Sequence, residues 1–386
     1  MPTIVATTRI AVAACIPTLF ATAQASAQSI TNLGTLLGAE SSYAYGVSAD
    51  GLVVTGNCDS RPFRWNATTG MQLLPVLGQT LSATGHALSA DGSVIVGGGD
   101  GRAMRWTSTG VSDLGSTGAS GSAFAAAVSA DGETVVGFSG TSSFVWQQVS
   151  GMQQIAPDSI ARAISADGST IGGYLYSTSD GFRWQPPGAI ETVIPDGGVE
   201  DLSVDGSVLV GWIETELGQR AYRWSEAPGV QLLPLLPGAS SAYAAAVSGD
   251  GLTVAGACNV DSVDHAFVWS ESAGTVSLRE LLQSLGVDLS GWTVLASIRS
   301  MSADGRVVVG YGTFEGSTRA FIADITETCP GDVTNGGAVD ATDLSVILAA
   351  WGTNGQGEFD ADADNSGLVD GGDLALVLSG WGPCPR

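Results

Sequence analysis

Short runs of β-branched and aliphatic residues recur along the chain, each bounded by glycine and small polar residues. A Ser-Ala-Asp-Gly motif, or a variant with one substitution, precedes one such run in every repeat, with its aspartate at Asp50, Asp91, Asp131, Asp167, Asp205, Asp250 and Asp304. Successive aspartates are between 36 residues (131 to 167) and 54 residues (250 to 304) apart, a period that suits both propeller blades and two-helix repeats. The pattern therefore predicts seven structural units.

Residue types inside each unit favour strands over helices. Asp-Gly followed by a β-branched run, as at 94–96 and 307–309, is a strong hairpin signal, and we expect a type I′ turn in which both residues have positive φ. An aromatic pair marks a third strand, as at 63–65, and a glycine opens a fourth strand, as at 70–74. Helical spacing of three and four is missing from these windows. Four short antiparallel strands per unit predict an all-β, seven-bladed β-propeller.

The two ends of the repeat region complement each other. The seventh unit stops near Ile325 without a fourth strand, whereas residues 29–33 form an isolated strand pattern before the first hairpin. Pairing that first segment into the last blade leaves no open sheet edge at the seam. We therefore predict a ring that its N-terminal strand closes noncovalently.

Residues 32–56, NLGTLLGAESSYAYGVSADGLVVTG, and residues 265–269, HAFVW, resemble the HAF repeats of secreted bacterial proteins, named for a His-Ala-Phe triplet. The resemblance covers the repeat region, although only one unit carries the full triplet. It implies an extracellular repeat protein with a propeller-like fold, and it implies no particular chemistry.

The first residues read as a secretory signal peptide. Arg9 is followed by an apolar stretch at 10–20 and by the small residues Ala25, Ser26 and Ala27. Residues 12–15 loosely resemble a lipoprotein cleavage box, but the apolar stretch before Cys15 is too short for one. No later segment has the length of a membrane span. We expect a leader at 1–27, a repeat body at 28–327 and a tail at 328–386, in a protein that is secreted to the exterior or the cell surface.

Charge excludes one class of partner. The formal net charge is −24, and all 14 basic residues are arginine. Such a surface repels phosphate backbones, so we expect no nucleic-acid partner.

Residues 329–386 contain a second, shorter repeat. The residue types of one copy, Asp340, Asp343, Leu344, Leu348 and Trp351, return as Asp370, Asp373, Leu374, Leu378 and Trp381. Each copy predicts a loop that leads into a short helix with apolar positions at i, i+3, i+4 and i+7. The predicted apolar faces are Leu344, Ile347, Leu348 and Trp351 in one helix and Leu374, Val377, Leu378 and Trp381 in the other. We expect the two helices to pack on each other.

Both loops have calcium-ligand spacing. In the second, positions 1, 3, 5, 7, 9 and 12 are held by Asp362, Asp364, Ser366, Leu368 (through its carbonyl), Asp370 and Asp373, with Gly367 at position 6. In the first, positions 1, 3, 7, 9 and 12 are held by Asp332, Thr334, Ala338, Asp340 and Asp343, with Gly337 at position 6. The first loop offers three carboxylates against four, so we predict two Ca²⁺ sites of which the first is weaker. The alternative is a pair of turns with solvated aspartates.

Two such loop and helix units in tandem resemble a type I dockerin, an EF-hand-type calcium-binding module that attaches secreted enzymes to cohesins. Aspartate at position 12 agrees with that family, whereas the residues after position 9, Ala341 with Thr342 and Gly371 with Gly372, depart from it. The resemblance implies a small all-α domain and a cohesin-like partner, and the departures leave a cell-surface anchoring partner open.

Four cysteines remain after the predicted leader. Cys329 and Cys384 bracket the tail, and we predict a disulfide between them because export implies an oxidising setting. Cys58 and Cys258 lie at equivalent places in units one and six, which are not neighbours. A bond between these two and a pair of buried free thiols both stay open.

One position on the predicted channel-lining strand differs in residue type between the repeats. Three residues before the repeated serine, on the strand expected to line the channel, the units carry Tyr45, His86, Ala126, Arg162, Glu200, Ala245 and Arg299. We predict that Tyr45, His86, Arg162, Glu200 and Arg299 form a ligand-binding pocket at one channel mouth. The alternative is a set of solvated channel residues without a ligand.

Catalytic motifs such as HExxH, GxSxG and a Walker loop are absent from the sequence. The serine of the repeated motif is a turn or strand cap rather than a nucleophile, because it recurs in all seven units. We expect a non-catalytic binding or surface-associated protein, with polysaccharide as one partner. The alternative is a polysaccharide-active hydrolase or lyase with its site in the channel mouth.

Overall fold

The computed structural model describes residues 29–384 except positions 79, 81, 118–121, 327, 328, 330, 335–337, 358 and 365. The predicted leader and Gly337 of the first calcium loop lie outside the described residues. No helix in the described part of the chain combines the length and the hydropathy that a membrane crossing requires.

Seven four-stranded antiparallel sheets form the blades of a propeller. The chain opens with β1 (Ile30–Asn32), and blade 1 consists of β2 (Tyr43–Val47), β3 (Val54–Cys58), β4 (Arg61–Asn66) and β5 (Gly70–Leu73). Blade 2 consists of β6 (Ala83–Leu88), β7 (Ile95–Gly99), β8 (Arg102–Thr107) and β9 (Gly110–Asp113). Blade 3 consists of β10 (Ala123–Val128), β11 (Thr134–Ser139), β12 (Ser142–Gln147) and β13 (Gly151–Pro157).

The remaining blades follow in the same order. Blade 4 consists of β14 (Ser159–Ile164), β15 (Ile171–Leu175), β16 (Gly181–Trp184) and β17 (Glu191–Ile194). Blade 5 consists of β18 (Gly197–Leu202), β19 (Val208–Thr215), β20 (Gly218–Ser225) and β21 (Gly229–Leu232). Blade 6 consists of β22 (Ala239–Val247), β23 (Thr253–Val260), β24 (Val263–Ser270) and β25 (Gly274–Ser277), and the helix α1 (Leu278–Ser284) follows it. That helix accounts for the longest interval between motifs.

The N-terminal strand completes the seventh blade. The chain supplies β26 (Trp292–Met301), β27 (Val307–Phe314) and β28 (Ser317–Asp324), and β1 pairs antiparallel with β28. In this register Ile30 lies opposite Ala323 and Asn32 lies opposite Phe321. The seven-bladed ring and its noncovalent closure by the first strand are therefore confirmed.

A second closure runs through the repeated motifs. The residue between Ser and Asp in each motif donates its backbone N–H to the carbonyl oxygen of the equivalent residue in the next blade, at 2.8 to 3.1 Å. The residues of this hydrogen-bonded ring are Ala49, Ala90, Ala130, Ala166, Val204, Gly249 and Ala303, and Ala303 donates back to Ala49. All seven blades are thus linked at the end of the channel where the motifs lie.

The serine of each motif holds its own turn. In blade 1 the Ser48 hydroxyl donates to Oδ1 of Asp50 at 2.6 Å and accepts the N–H of Val53 at 2.9 Å. The other six motifs repeat this pair of bonds. These contacts occupy the hydroxyl in a structural role, as expected for a strand cap.

The predicted type I′ turn is wrong. Gly51 has a φ of 74°, whereas Asp50 is not in the left-handed region, and the hairpin closes over four residues between Ser48 and Val53. The Asp50 carboxylate accepts the N–H of Leu52 at 3.0 Å as well as the serine hydroxyl. These local bonds hold the aspartate in an Asx-type turn, so only the glycine needs positive φ.

The core lies between neighbouring blades. The first residue of the predicted aromatic pair is at most 1% exposed in every blade. These residues are Phe63, Met104, Phe144, Phe182, Tyr222, Phe267 and Phe321. Four of them, Phe63, Phe144, Phe182 and Phe267, lie in clusters with small and β-branched residues of neighbouring strands. Burial of one large side chain per blade stabilises the ring.

The tail contains two short helices, α2 (Ala341–Ala349) and α3 (Gly371–Ser379), and a two-residue pairing of β29 (Ala338–Val339) with β30 (Gly382–Pro383). The helices contact each other. Ile347 and Val377 are fully buried in the tail core, and the buried Val339 belongs to the same cluster.

Half of each predicted helix face is wrong. Leu348, Trp351, Leu378 and Trp381 are 48% to 56% exposed. Both helices are only nine residues long, so Trp351 and Trp381 lie beyond their ends. Each helix buries the predicted Ile347 or Val377 together with the closing aspartate, Asp343 or Asp373, four residues before it.

Cys329 and Cys384 form a disulfide in the structure, with an S–S distance of 2.11 Å, which ties together the two ends of the tail. Cys58 and Cys258 are free and buried. The structure therefore contains two buried free thiols rather than a disulfide between Cys58 and Cys258. The Cys58 sulfur accepts the N–H of Leu36 at 3.3 Å.

Candidate ligand site at the channel mouth

The first strand of each blade lines the channel, because these strands contact one another from blade to blade around the ring. Each of them carries a β-bulge at the same place, where the pairing register with the second strand shifts by one residue. The residues at the bulges are Tyr45, His86, Ala126, Arg162, Glu200, Ala245 and Arg299. A bulge releases one residue from the ladder and re-aims its side chain. The position that varies in sequence is therefore the bulge position.

A glycine opposite each bulge makes this geometry possible. A Cβ atom on Gly97 would lie 2.0 Å from the carbonyl oxygen of Thr84, two residues before the bulge at His86. The equivalent glycines, which would clash with the equivalent carbonyls at 1.9 to 2.0 Å, are Gly56, Gly137, Gly173, Gly211, Gly256 and Gly310. The glycine that ends each β-branched run in the sequence is thus required by the bulge.

All five predicted ligand-binding residues line one cavity of about 360 Å³. Ala126 and Ala245 also line it, and their small side chains leave room where the other blades place larger groups. The volume falls within the range of about 300 to 1,000 Å³ that small-molecule sites occupy. The structure therefore brings together the residues that the repeat comparison selected.

Two of these residues form an ion pair. Nε of Arg162 lies 3.3 Å from Oε2 of Glu200, and both side chains are largely buried. The indole Nε1 of Trp212 donates to Oε1 of the same glutamate at 3.2 Å. No hydrogen bond to Arg162 Nε is formed within the described residues, because the ion pair lacks the required alignment. Glu200 neutralises the charge of Arg162, and its carboxylate oxygens can still accept hydrogen bonds from a ligand in the cavity.

Arg299 has a different environment. Its guanidinium lies over the rings of Tyr45 and Tyr243, at 6.0 and 5.9 Å from their centroids, and Nη1 donates to the Tyr243 hydroxyl at 3.3 Å. Burial acts to lower the pKa of Arg299, but Tyr243 and the charge of Glu200 outweigh it, so the pKa is raised and the group stays charged. No carboxylate oxygen of the described residues lies within 4.0 Å of this guanidinium.

His86 is neutral at physiological pH. Burial in the channel and the nearby charge of Arg162 lower its pKa to about 4. Its Nδ1 lies 2.8 Å from the carbonyl oxygen of Ala126. Because a carbonyl only accepts, Nδ1 carries the proton, and Nε2 is left as an acceptor.

Sequence reasoning missed Asp201, Trp212, Gln219 and Tyr243, which also line the cavity. Asp201 accepts the N–H of Val247 in the next blade at 2.9 Å, and burial raises its pKa to about 7. A signal for Asp201 exists, since it is the only charged residue that directly follows a bulge position. Trp212 directly follows the glycine opposite a bulge, and Tyr243 lies two residues before a bulge. Other blades also carry aromatic residues at these two positions, a repeat signal that sequence reasoning did not use.

Aromatic rings continue from the cavity across blades 7, 1, 2 and 3. Neighbouring centroids are 5.0 to 6.4 Å apart, so the rings form one connected arc. In order, the arc consists of Tyr311, Tyr43, Tyr45, His86, Phe124 and Phe138. Tyr45 and His86 are bulge residues, Tyr43 and Phe124 lie two residues before a bulge, and Tyr311 and Phe138 directly follow the glycine opposite a bulge.

The second tail loop brings three carboxylates together. Asp362, Asp364 and Asp373 each place an oxygen within 4.8 Å of the others. Backbone N–H groups of Ser366 and Gly367 donate to Asp362 at 3.0 and 2.7 Å and hold it in the loop. Asp370 is the N-cap of α3, where its side chain accepts the N–H of Gly372 at 2.7 Å. The hydroxyl of Ser366 donates to the carbonyl of Leu368 at 3.2 Å.

The first loop differs. Oδ1 of Asp343 accepts both the N–H and the hydroxyl of Thr334, at 2.9 and 2.8 Å, so protein groups already satisfy this carboxylate oxygen. Asp340 caps α2, and Ala338 pairs with the end of the chain in β29. Within the described residues, Asp332, Asp340 and Asp343 do not form a three-carboxylate group of the kind found in the second loop.

Comparison with protein-family models and with curated protein sequences finds no match. Solved structures do match in fold. An oligogalacturonate lyase from Vibrio parahaemolyticus is 14% identical with a TM-score of 0.53, over 77% of this chain and 94% of that one. An oligogalacturonate lyase in complex with manganese is 15% identical with a TM-score of 0.56, over 77% of this chain and 93% of that one. At this identity the likeness supports the seven-bladed propeller fold and does not extend to function.

Proposed function

We propose that the protein is an exported, non-catalytic binding protein that holds a polysaccharide segment at the channel mouth and is attached or assembled through a calcium-binding tail. A single observation carries the proposal. All seven bulge residues line one cavity, and at this position the repeats exchange alanine for aromatic and charged residues. Residues that a fold requires are the same in every repeat, so variation at a position that lines a cavity is typical of a ligand site.

The tail fits a hard cation. Ca²⁺ takes six to eight oxygen ligands, and the second loop brings three carboxylates within reach of one ion, with Ser366, the carbonyl of Leu368 and Asp370 beside them. We assign Asp332, Thr334, Ala338, Asp340 and Asp343 to a weaker site, because Thr334 occupies the closing carboxylate.

The proposed organisation has a leader at 1–27, the ring at 28–327 and a dockerin-like domain at 328–386. Its partner would be a cohesin-like or cell-surface protein. The exposed Leu348, Trp351, Leu378 and Trp381 give the tail an apolar surface of the kind that protein partners cover.

The second candidate function is a polysaccharide lyase with its site in the same cavity. Two oligogalacturonate lyases share the fold, and the mouth contains Arg162 and Arg299 together with Asp201, whose pKa of about 7 suits a general base. In such an elimination the base removes the proton next to a carboxylate group while the bond to the leaving oxygen breaks. The manganese of the second relative is not carried over, since the described three-carboxylate group lies in the tail rather than the mouth.

Binding is favoured over cleavage because both carboxylates of the mouth, Glu200 and Asp201, already form hydrogen bonds or ion pairs within the protein. Glu200 pairs with Arg162 and accepts from Trp212, and the Asp201 carboxylate accepts backbone N–H groups from Leu202 and Val247. A catalytic acid or base needs reach to the reacting atom, and these bonds hold both carboxylates in structural contacts.

A glycan array with the full chain, followed by mass spectrometry of the retained glycans, separates the two functions. Binding without shorter products supports the proposal, and Arg162→Gln should weaken it while Arg102→Gln, at an exposed site outside the cavity, should not. Product formation that Asp201→Asn abolishes establishes the lyase instead. Absence of both binding and cleavage across acidic and neutral polysaccharides overturns the proposal.

A further inference from the structure

The channel mouth places two arginines beside Glu200 and Asp201, in a molecule that is strongly acidic overall. The chain has a formal net charge of −24, yet two arginines face one cavity. Arg162 has an acidic partner in Glu200, at 3.3 Å. Arg299 has only a hydroxyl, from Tyr243 at 3.3 Å. Arg299 therefore forms no ion pair with a described residue, although the charge of Glu200 acts on it from beyond 4.0 Å.

Arg299 is half-buried, and a half-buried guanidinium without an ion pair is unfavourable, because desolvation of a charge is costly unless another charge or hydrogen bonds replace the lost water. Arg299 offers five N–H donors in a planar fork, and among the described residues only the Tyr243 hydroxyl accepts a hydrogen bond from it. The rings of Tyr45 and Tyr243 fix the guanidinium from two blades. An anion with two coplanar oxygens satisfies such a fork better than a spherical ion does.

The other groups around Arg299 are acceptors and flat apolar rings. Nε2 of His86 is an acceptor because Nδ1 donates to Ala126, and Glu200 keeps acceptor capacity beside Trp212. Acceptors select hydroxyl groups on a ligand and repel additional anionic oxygens. The arc of aromatic rings, which passes through Tyr45 and His86 at the cavity, offers faces on which a saturated ring can stack.

We propose that the ligand is an oligosaccharide that contains a uronate. In this arrangement the uronate carboxylate binds the fork of Arg299, hydroxyl groups donate to Glu200 and to Nε2 of His86, and the next sugar rings lie on the aromatic arc from Tyr45 towards Phe124. Only one carboxylate has a receptor in the cavity, so a single uronate at the mouth is recognised. This assignment rests on the proposed binding function and deepens it.

Isothermal titration calorimetry of the full chain tests the assignment with three sugars: a galacturonic acid trimer, its methyl ester and a neutral galactose trimer. The acid should bind at least tenfold more tightly than the ester, because a hydrogen-bonded charge pair contributes roughly ten- to a hundredfold in affinity. Equal affinity for acid and ester overturns the carboxylate assignment and leaves the binding function standing. Absence of binding to all three sugars and to every polysaccharide of the array overturns both.

Variants locate the carboxylate. Arg299→Gln should abolish the preference for the acid over the ester, whereas Tyr45→Ala should weaken both about equally. Arg299→Lys keeps the charge and loses the fork, so it should retain part of the preference and serves as a second variant should Arg299→Gln fail to fold. Arg102→Gln is the matched control, as its partner Asp113 is exposed and remote from the cavity. An unchanged preference in a folded Arg299 variant contradicts the proposal.

Inorganic phosphate separates a sugar site from a general anion site. Phosphate lacks the hydroxyl pattern and the ring faces, so it should not displace the acid trimer at concentrations near the dissociation constant of galacturonic acid. Displacement by phosphate as effective as displacement by galacturonic acid would identify a simple anion site and overturn the uronate assignment.

Discussion

The backbone N–H of Ala303 in the seventh blade donates to the carbonyl oxygen of Ala49 in the first, at 3.0 Å. This bond is the last of seven that join the repeated turns into a ring at one end of the channel. The other connection is the pairing of β1 with β28, in which Ile30 lies opposite Ala323, 293 residues later in the sequence. The ring is thus closed both by a turn at its inner edge and by a strand at its outer edge, and each closure can be tested separately.

Loss of packing under the N-terminal strand should destabilise the ring. Leu33 is 5% exposed, and its N–H donates to Ala320 at 3.0 Å. Leu33→Ala should lower the free energy of unfolding by about 2 to 5 kcal/mol, since it leaves a cavity at the seam. Leu37→Ala is the control, because Leu37 is 98% exposed and its loss should change stability by about 0.5 kcal/mol or less. Equal denaturant midpoints for the two variants would show that the strand does not contribute to closure.

A side chain opposite a bulge should disrupt the channel. Gly97→Ala places a Cβ atom 2.0 Å from the carbonyl oxygen of Thr84, so the two strands must separate or the bulge at His86 must be lost. We expect a loss of about 3 kcal/mol or more in urea unfolding, in the range of severe core substitutions. Gly371→Ala, at a position with nothing within 4 Å of the added atom, should be neutral or stabilising. A neutral Gly97→Ala would refute the bulge geometry.

The buried carboxyl of Asp201 should make stability depend on pH. Its pKa rises from 3.8 to about 7, so between these pH values the native state retains a proton that the unfolded state has released, and stability falls as pH rises. The full effect is at most about 4 kcal/mol, at about 1.4 kcal/mol per pH unit. Asp201→Asn keeps an oxygen for the N–H of Val247 and should remove this fall.

The measurement for Asp201 is the difference in unfolding free energy between wild type and variant from pH 4 to 8. The difference is needed because His86, whose pKa is lowered to about 4, acts in the opposite sense below its ordinary pKa of 6.5. Asp205→Asn is the control, because hydrogen bonds lower the pKa of Asp205 and its contribution is lost only in acid. Parallel pH profiles for wild type and Asp201→Asn would contradict the raised pKa.

Calcium should stabilise the tail and leave the ring unchanged. At 10 to 100 times the dissociation constant, binding adds about 1.4 to 2.7 kcal/mol, because three carboxylates repel one another without a cation. In scanning calorimetry, a chelator should lower the transition of the tail and not that of the ring. Asp364→Asn should remove this response, whereas Asp340→Asn should reduce it only slightly. A tail transition that is insensitive to chelator would exclude the metal site.

The internal repeats allowed the fold to be predicted from the sequence. The sequence contains seven copies of one motif and one additional strand pattern before the first copy. Each blade needs four strands, and the seventh unit has only three, so the additional strand predicts a closed ring. Comparison of equivalent positions also selected Tyr45, His86, Arg162, Glu200 and Arg299, since a position that the fold does not constrain can vary between repeats. The glycine that ends each run was visible, but its role opposite a bulge was not.

Tertiary structure decided which of these groups are partners. Pairing of Arg162 with Glu200, and the absence of a carboxylate beside Arg299 among the described residues, depend on distances between blades that no local pattern encodes. The raised pKa of Asp201 also depends on the tertiary structure, because it comes from burial against the next blade. In the tail, the short helices end before Trp351 and Trp381, which leaves these residues exposed despite their helical spacing. A sequence repeat specifies what each blade must share, because the same backbone geometry recurs in all of them. The chemistry of the channel arises where different blades meet, and only the closed ring sets those contacts.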